Sequence, residues 1–151
     1  DTFVATGSMG LDTITDFDFG TSTTQVDVLN LAARALSFTA NDYDTVGLFS
    51  AGYVADNDVI IFNTATYADI SALDTALEAH STAATGANKD LILVWQDSLG
   101  TVHVSQAVGA DGAAAGADGG DEYTVTDLFQ LSGVSITGIA SLINLADIVV
   151  A

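Results

Sequence analysis

The chain has 151 residues, and 49% of them are apolar, which is enough for one domain with a substantial core. Its 20 carboxylates face only Arg34 and Lys89, so the net charge is −18, and phosphate backbones or anionic membrane surfaces would repel it. Cysteine is absent, which excludes a disulfide framework and a thiolate metal site. No run of about 18 apolar residues supplies a membrane span. We therefore expect no nucleic-acid partner and no membrane insertion.

The first half of the chain predicts short strands. Over residues 1–31, β-type runs alternate with Gly-containing turns, without a 3.6-residue periodicity. The next stretch is mixed, with a helical turn predicted over 31–36 and a loop around 42–44. From Asp56 the letters DNDVIIF predict a buried strand. Proline is absent and Thr, Ser, Val and Gly are common, which favours β structure with Gly and Asp turns.

One helix is predicted, over 67–82. Its apolar face is formed by three residues at helical spacing: Ile70, Leu73 and Leu77. Thr66 followed by Asp69 predicts a capping box at the start, and Gly86 predicts the stop.

The clearest hairpin joins 90–96 (DLILVWQ) to 101–108 (TVHVSQAV) through the turn-forming residues 97–100. Alternation along the first strand puts three side chains on one face: Leu91, Leu93 and Trp95. We expect Trp95 in the core. The remaining elements are a loop over 109–122, strands over 123–131 and 134–139, a short helical stretch near 140–145 and an apolar end at 147–151.

A glycine-rich turn near the start carries the motif with the most defined chemistry. Residues 7–14 read GSMGLDTI and fit the repeat G-G-x-G-x-D-x-U, with Ser8 in place of the second glycine. Copies of this repeat bind calcium in a parallel β-roll. The glycines let carbonyl oxygens point inward, and the Asp adds a charged oxygen. Because Ca²⁺ takes about six to eight oxygens, a neighbouring turn must complete the site.

The flanks of the turn extend the pattern. DTFV at 1–4 precedes it, DTITDF at 12–17 follows it, and DVLNL comes at 27–31. These 31 residues resemble the end of the repeat array in RTX proteins, a family of type I secreted bacterial proteins with serralysin-like β-roll termini. Asn30 stands where that family usually has Asp, and Ser8 where it has Gly. The rest of the chain more loosely resembles C-terminal domains of secreted adhesins and S-layer proteins.

The resemblance implies a calcium site. It implies carbonyl ligands at Gly7 and Gly10 and a carboxylate ligand at Asp12, with Asp16 and Asp27 as further candidates. The cofactor implied is Ca²⁺. The alternative is that these are turn residues of a vestigial repeat that holds no metal.

The resemblance also implies a fold and a location. The fold is mostly β: the end of a parallel β-roll or β-helix over 1–31, then a β-rich, sandwich-like C-terminal cap over 32–151 with one amphipathic α-helix. The function is calcium-dependent folding of a protein that the type I secretion machinery exports from a Gram-negative-type bacterium to its surface or surroundings. The apolar ending fits an uncleaved C-terminal signal, and the lack of an initiating Met leads us to expect further domains upstream.

A rival from another class is a self-assembling structural subunit of an S-layer, sheath or extracellular filament, which would pair identical subunits through strand edges. The high apolar fraction fits burial of surface on assembly. A carbohydrate-binding module is disfavoured because the chain has a single Trp. A second cation site at Asp111, Asp118 and Asp121 is less favoured than a solvated loop.

An enzyme is not expected. The sequence has no H-E-x-x-H, no G-x-S-x-G, no phosphate-binding glycine loop and no thiol. Its two histidines have simpler interpretations. His80 is near the end of the predicted helix, where it can interact favourably with the helix dipole. His103 alternates along a hairpin strand, so we expect it on the surface or in cross-strand packing.

Overall fold

Nine strands and one helix make up the part of the chain that the structure describes. This computed structural model describes residues 1–5, 11–18, 27–31, 43–46, 59–80, 90–109, 123–134 and 148–149. The strands are β1 Thr2–Val4, β2 Asp12–Ile14, β3 Val28–Asn30, β4 Tyr43–Val46, β5 Val59–Tyr67, β6 Leu91–Asp97, β7 Val102–Gly109, β8 Tyr123–Leu131 and β9 Ile148–Val149. The helix is α1, Ile70–His80. The mostly-β class is confirmed for these residues. The predictions for 32–36, for the helix end at 81–82 with its stop at Gly86, for 110–122 and for 135–147 lie outside them.

The strands form two sheets. A three-stranded sheet has the order β1-β3-β9 with parallel pairs throughout. A six-stranded mixed sheet has the order β2-β8-β7-β6-β5-β4. β1 and β3 are neighbours in the first sheet, whereas β2, which lies between them in the chain, belongs to the second sheet and pairs with β8. The described strands before residue 31 are thus hydrogen-bonded into both sheets, and a domain boundary at residue 31 stays a prediction.

Two hydrophobic clusters lie on opposite faces of the six-stranded sheet. Successive side chains of β6 point to opposite faces, so this strand contributes to both clusters. The cluster shared with the three-stranded sheet receives Ile92 and Val94, and the cluster beneath α1 receives Leu91, Leu93 and Trp95. Burial on both faces explains the continuous apolar run of β6. The core position predicted for Trp95 is confirmed.

The strand predicted from the letters VIIF is the start of β5, and all four of these residues are buried. The loop predicted around 42–44 is wrong for Tyr43 and Asp44, which lie in β4 and pair with Val59 and Ile60 of β5. Asp favours turns by its local chemistry, but parallel pairing with an adjacent buried strand overrides that preference here.

The helix begins three residues later than predicted. Thr66 still belongs to β5 and so does not serve as the N-cap of a capping box. Asp69 takes that place: its Oδ1 accepts a hydrogen bond from the amide of Ala72 at 2.9 Å. The carbonyl of Asp69 accepts from the amide of Leu73 at 3.1 Å and starts the helical ladder. Leu73 and Leu77 are fully buried, as their spacing predicts.

β6 and β7 form the predicted antiparallel hairpin. The Gly100 amide donates to the carbonyl of Asp97 at 3.2 Å, and Gly100 has a φ of +92°, in the region that favours glycine. Oδ1 of Asp97 accepts two further hydrogen bonds, from the amides of Leu99 at 2.9 Å and Thr101 at 2.8 Å. The Asp side chain therefore holds the whole turn.

β8 contains one extra residue, Leu128. Val104 of β7 pairs with Phe129, and the next residue, Ser105, pairs with Asp127, so Leu128 has no residue opposite it. Leu128 and Phe129 consequently both belong to the cluster between the sheets. Asp127 lies on the other face, where it contacts Ser105.

Candidate functional site

The five residues predicted to bind calcium fall into three groups. Gly7 and Gly10 lie outside the described residues. Asp12 is exposed at the start of β2, and Asp16 is exposed in the bend that follows β2. Asp27 is buried, with 5% of its surface exposed, immediately before β3. Their roles as calcium ligands stay predictions.

The carboxylate of Asp27 is held by backbone nitrogens. Its Oδ1 lies 2.6 Å from the amino nitrogen of Asp1, and its Oδ2 accepts from the amide of Asp18 at 2.7 Å. Burial acts to raise the pKa of Asp27, and the hydrogen bonds from these two nitrogens act to lower it. Asp27 thereby ties the start of β1 to the chain that follows β2.

The three predicted carboxylates are not gathered at one point. Within the described ranges, no three acidic or histidine side chains form a group that could hold a metal ion. Asp12 and Asp16 are exposed, whereas Asp27 is buried and engaged. A calcium ion bound by Asp12 would therefore take most of its oxygens from elsewhere, as the predicted carbonyl ligands Gly7 and Gly10 require.

A buried polar cluster lies on the face of the six-stranded sheet that carries the indole. We call it the His103 cluster, and its five members come from β6, β7 and β8: Trp95, Asp97, His103, Ser105 and Asp127. The sequence did not predict this cluster.

Both ring nitrogens of His103 face carboxylates. Nδ1 lies 2.8 Å from Oδ2 of Asp127, and Nε2 lies 3.4 Å from Oδ2 of Asp97. The imidazole stacks on the indole of Trp95, its partner across the hairpin, with ring centroids 4.3 Å apart and an interplanar angle of 17°. His103 is only 6% exposed. Cross-strand packing is thus confirmed for His103, and a surface position is wrong.

Ser105 connects the indole to the acid on β8. Its hydroxyl is fully buried, accepts a hydrogen bond from Nε1 of Trp95 at 2.8 Å and donates one to Oδ1 of Asp127. A nucleophilic triad needs the serine hydroxyl to donate to the histidine. Here the hydroxyl donates to the carboxylate instead, so these residues do not have the geometry of that triad. The arrangement can hold a proton between buried groups and join three strands.

The charges of the cluster stabilise one another. Burial acts to lower the pKa of His103, but hydrogen bonds and the charges of Asp127 and Asp97 raise it above the ordinary 6.5. Burial acts to raise the pKa of Asp97, but hydrogen bonds from the amides of Thr101 and Leu99 and from the imidazole lower it below the ordinary 3.8. The cluster therefore favours an imidazolium between two carboxylates.

Part of this cluster was within reach of the sequence. Alternation places His103 and Ser105 on one face of β7, and the hairpin turn sets His103 opposite Trp95. Asp127 was not within reach, because unbroken alternation along YTVTDLFQL puts it on the same face as Phe129. Only the extra residue in β8 separates the two.

Comparison with known proteins gave no match: no family model, no curated protein and no solved structure is significantly similar to this chain. Among the residues that the structure describes, no helix has the length and apolar character needed to cross a bilayer.

Proposed function

We propose that the chain is the calcium-binding C-terminal domain of a secreted bacterial surface or extracellular protein, and that it completes its folding when it binds calcium after type I secretion. The path of the first three strands carries this proposal. β1 and β3 are parallel neighbours in one sheet, and β2 lies in the other. One coil of a parallel β-roll would give this strand order, so the arrangement supports the proposal. The calcium-repeat motif at 7–14 runs from the connection between β1 and β2 into β2.

The negative charge of the chain explains why bound calcium would stabilise the folded state. A net charge of −18 destabilises a compact state through self-repulsion, and Asp12 and Asp16 add exposed negative charge beside β2. An ion that binds only the folded state stabilises it by RT ln(1 + [Ca²⁺]/Kd). At about ten times Kd this is about 1.4 kcal/mol for each independent site. That is a sizeable part of the stability of an ordinary domain.

Calorimetric titration of the chain with Ca²⁺, paired with thermal melting in calcium and in chelator, tests the proposal. We expect calcium to raise the melting temperature and Mg²⁺ at equal concentration to do so less, because Mg²⁺ demands stricter octahedral geometry. Asp12→Asn should weaken calcium binding, because it removes the charged oxygen that the proposal assigns to the ion.

Asp69→Asn is the matched control. It removes one charge from another exposed aspartate, and Asn keeps the N-cap of α1. Its calcium affinity should equal that of the unchanged chain. Identical melting in calcium and chelator would refute calcium binding, and equal loss in both variants would reduce the effect to general charge screening.

The alternative function is a self-assembling structural subunit, and the sheet edges favour it. In the described residues, β1 and β2 each stand at an edge of their sheet. Val4, the last residue of β1, and Leu11, just before β2, are both 48% exposed. Edge strands with exposed apolar side chains can pair with a second copy. Light scattering over a range of protein concentrations, with and without calcium, decides this: a monomer throughout excludes assembly. If assembly occurs, Val4→Lys should reduce it.

A further inference from the structure

We propose that His103 is a proton-dependent clamp, which fastens the turn of the β6–β7 hairpin to β8 while its ring carries two protons and releases the turn when one proton leaves. The geometry of the two ring nitrogens carries this inference. It does not rest on calcium binding.

The first step concerns the donors of the ring. An imidazolium has two N–H donors, whereas neutral imidazole has one donor and one acceptor nitrogen. In the described residues, the charged groups that face the ring are Asp97 at the end of β6 and Asp127 in β8. Ser105 and Trp95 are the neutral groups of the cluster. Only the protonated ring can therefore donate a hydrogen bond to both carboxylates at the same time.

The second step decides which carboxylate is released. The distance from Nδ1 to Asp127 is 2.8 Å, an ordinary hydrogen bond, whereas the distance from Nε2 to Asp97 is 3.4 Å. Asp127 is also fixed by the hydroxyl of Ser105. The proton that remains after deprotonation therefore stays on Nδ1. Nε2 then turns a lone pair toward the carboxylate of Asp97, which repels it.

The third step links Asp97 to the turn. Its Oδ1 holds the amides of Leu99 and Thr101, and its Oδ2 faces His103. A displaced Asp97 side chain therefore weakens the hydrogen bonds that order residues 98–101. Leu99 stands at the tip of this turn, 90% exposed. The protonation state of the ring thus sets how firmly an exposed apolar side chain is presented.

The single tryptophan provides a direct measurement. Trp95 is the one Trp of the chain, and the imidazole of His103 stacks on it. We expect the charged ring to quench the indole fluorescence more than the neutral ring does. Fluorescence of the 151-residue chain in calcium buffer should rise with pH, with a midpoint above 6.5. His103→Gln should abolish the transition. His80→Gln, the control for the other histidine, should leave it unchanged.

Amide hydrogen exchange followed by NMR over the same pH range tests the release. After correction for intrinsic exchange rates, protection of the Leu99 and Thr101 amides should fall on the order of tenfold across the His103 transition, as loss of a hydrogen bond to a charged group predicts. In Asp97→Asn these amides should show no pH step, and the His103 midpoint should move down.

The results that overturn the proposal are distinct. An imidazole midpoint at or below 6.5 would show that two carboxylates do not stabilise the protonated ring of His103. This midpoint is read from the ring proton shifts of the unchanged chain, so the measurement does not depend on the folding of a variant. A midpoint above 6.5 with constant protection at Leu99 and Thr101 shows that the ring titrates without controlling the turn.

Discussion

The hydroxyl of Ser105 is the most informative single group to remove. Ser105→Ala deletes the acceptor of the Trp95 Nε1–H bond and the donor to Asp127. Trp95 is fully buried, so its N–H is left without water or another partner in the cluster, at a cost of about 1–3 kcal/mol. The side chain of Asp127 is 16% exposed, so water replaces part of the lost bond there. We expect the free energy of unfolding to fall by about 3 kcal/mol.

A double-mutant cycle separates the two contributions. Trp95→Phe removes the indole N–H, so Ser105→Ala in that background no longer strands a buried donor. The serine substitution should then cost about 1–2 kcal/mol less than in the unchanged chain. Urea unfolding followed by circular dichroism measures all four proteins, since two of them lack the fluorophore. Ser98→Ala, at an exposed serine of the same hairpin, should stay within about 0.5 kcal/mol of the unchanged chain.

A cost below about 1 kcal/mol for Ser105→Ala would show that the hydroxyl is not the partner of the indole. If Ser105→Ala lowers the free energy of unfolding equally with Trp and with Phe at position 95, the bond from Nε1 to the hydroxyl does not contribute. Asp127 would then be the sole partner of the hydroxyl.

Three further changes probe other parts of the structure. Asp69→Ala should destabilise the fold by about 1 kcal/mol in urea unfolding through loss of the α1 cap, and Asp69→Asn should not. Gly100→Ala should cost about 1 kcal/mol or more by the same assay, because the φ of +92° at this position disfavours an L side chain. A steric clash does not add to this cost, since the added Cβ would meet no atom closer than Gln96 Nε2 at 3.7 Å. The pKa of His103 is raised on folding, so its contribution to stability is complete below about pH 6.5 and is lost as the pH rises through the folded-state value. The stability difference between the unchanged chain and His103→Gln should therefore shrink as the pH rises above 6.5, and a difference that grows would contradict that reasoning.

The sequence predicted those elements whose hydrogen bonds and packing contacts join residues that are close together in the chain. The hairpin followed from alternation on both sides of a DSLG turn, and the buried face of α1 followed from the spacing of Leu73 and Leu77. The start of α1 was misplaced because Thr66 and Asp69 both suit an N-cap. Only the length of β5 decides between them, and pairing of β5 with β6 sets that length.

The sheet partners were beyond the sequence because they depend on contacts between distant segments. β2 pairs with β8, and β3 pairs with β9, more than 100 residues apart in the chain. The three-residue sequences of β2 (DTI) and β3 (VLN) do not specify which strands they pair with. The role of Asp27 was hidden for the same reason: an Asp at a turn suits a cation and also suits two backbone nitrogens, and only the fold brings the nitrogens of Asp1 and Asp18 to it.

The unpaired position in β8 has a consequence for how the strand tolerates changes of length. Residues 123–127 and 129–131 have opposite parity: odd-numbered side chains face the helix side before Leu128 and the three-stranded sheet after it. Deletion of Leu128 would leave a regular strand in which all the remaining side chains stay on the same face of the sheet as before. Excising a neighbour such as Thr126, with the bulge retained, would invert the preceding residues and send Tyr123 and Val125 into the wrong layer.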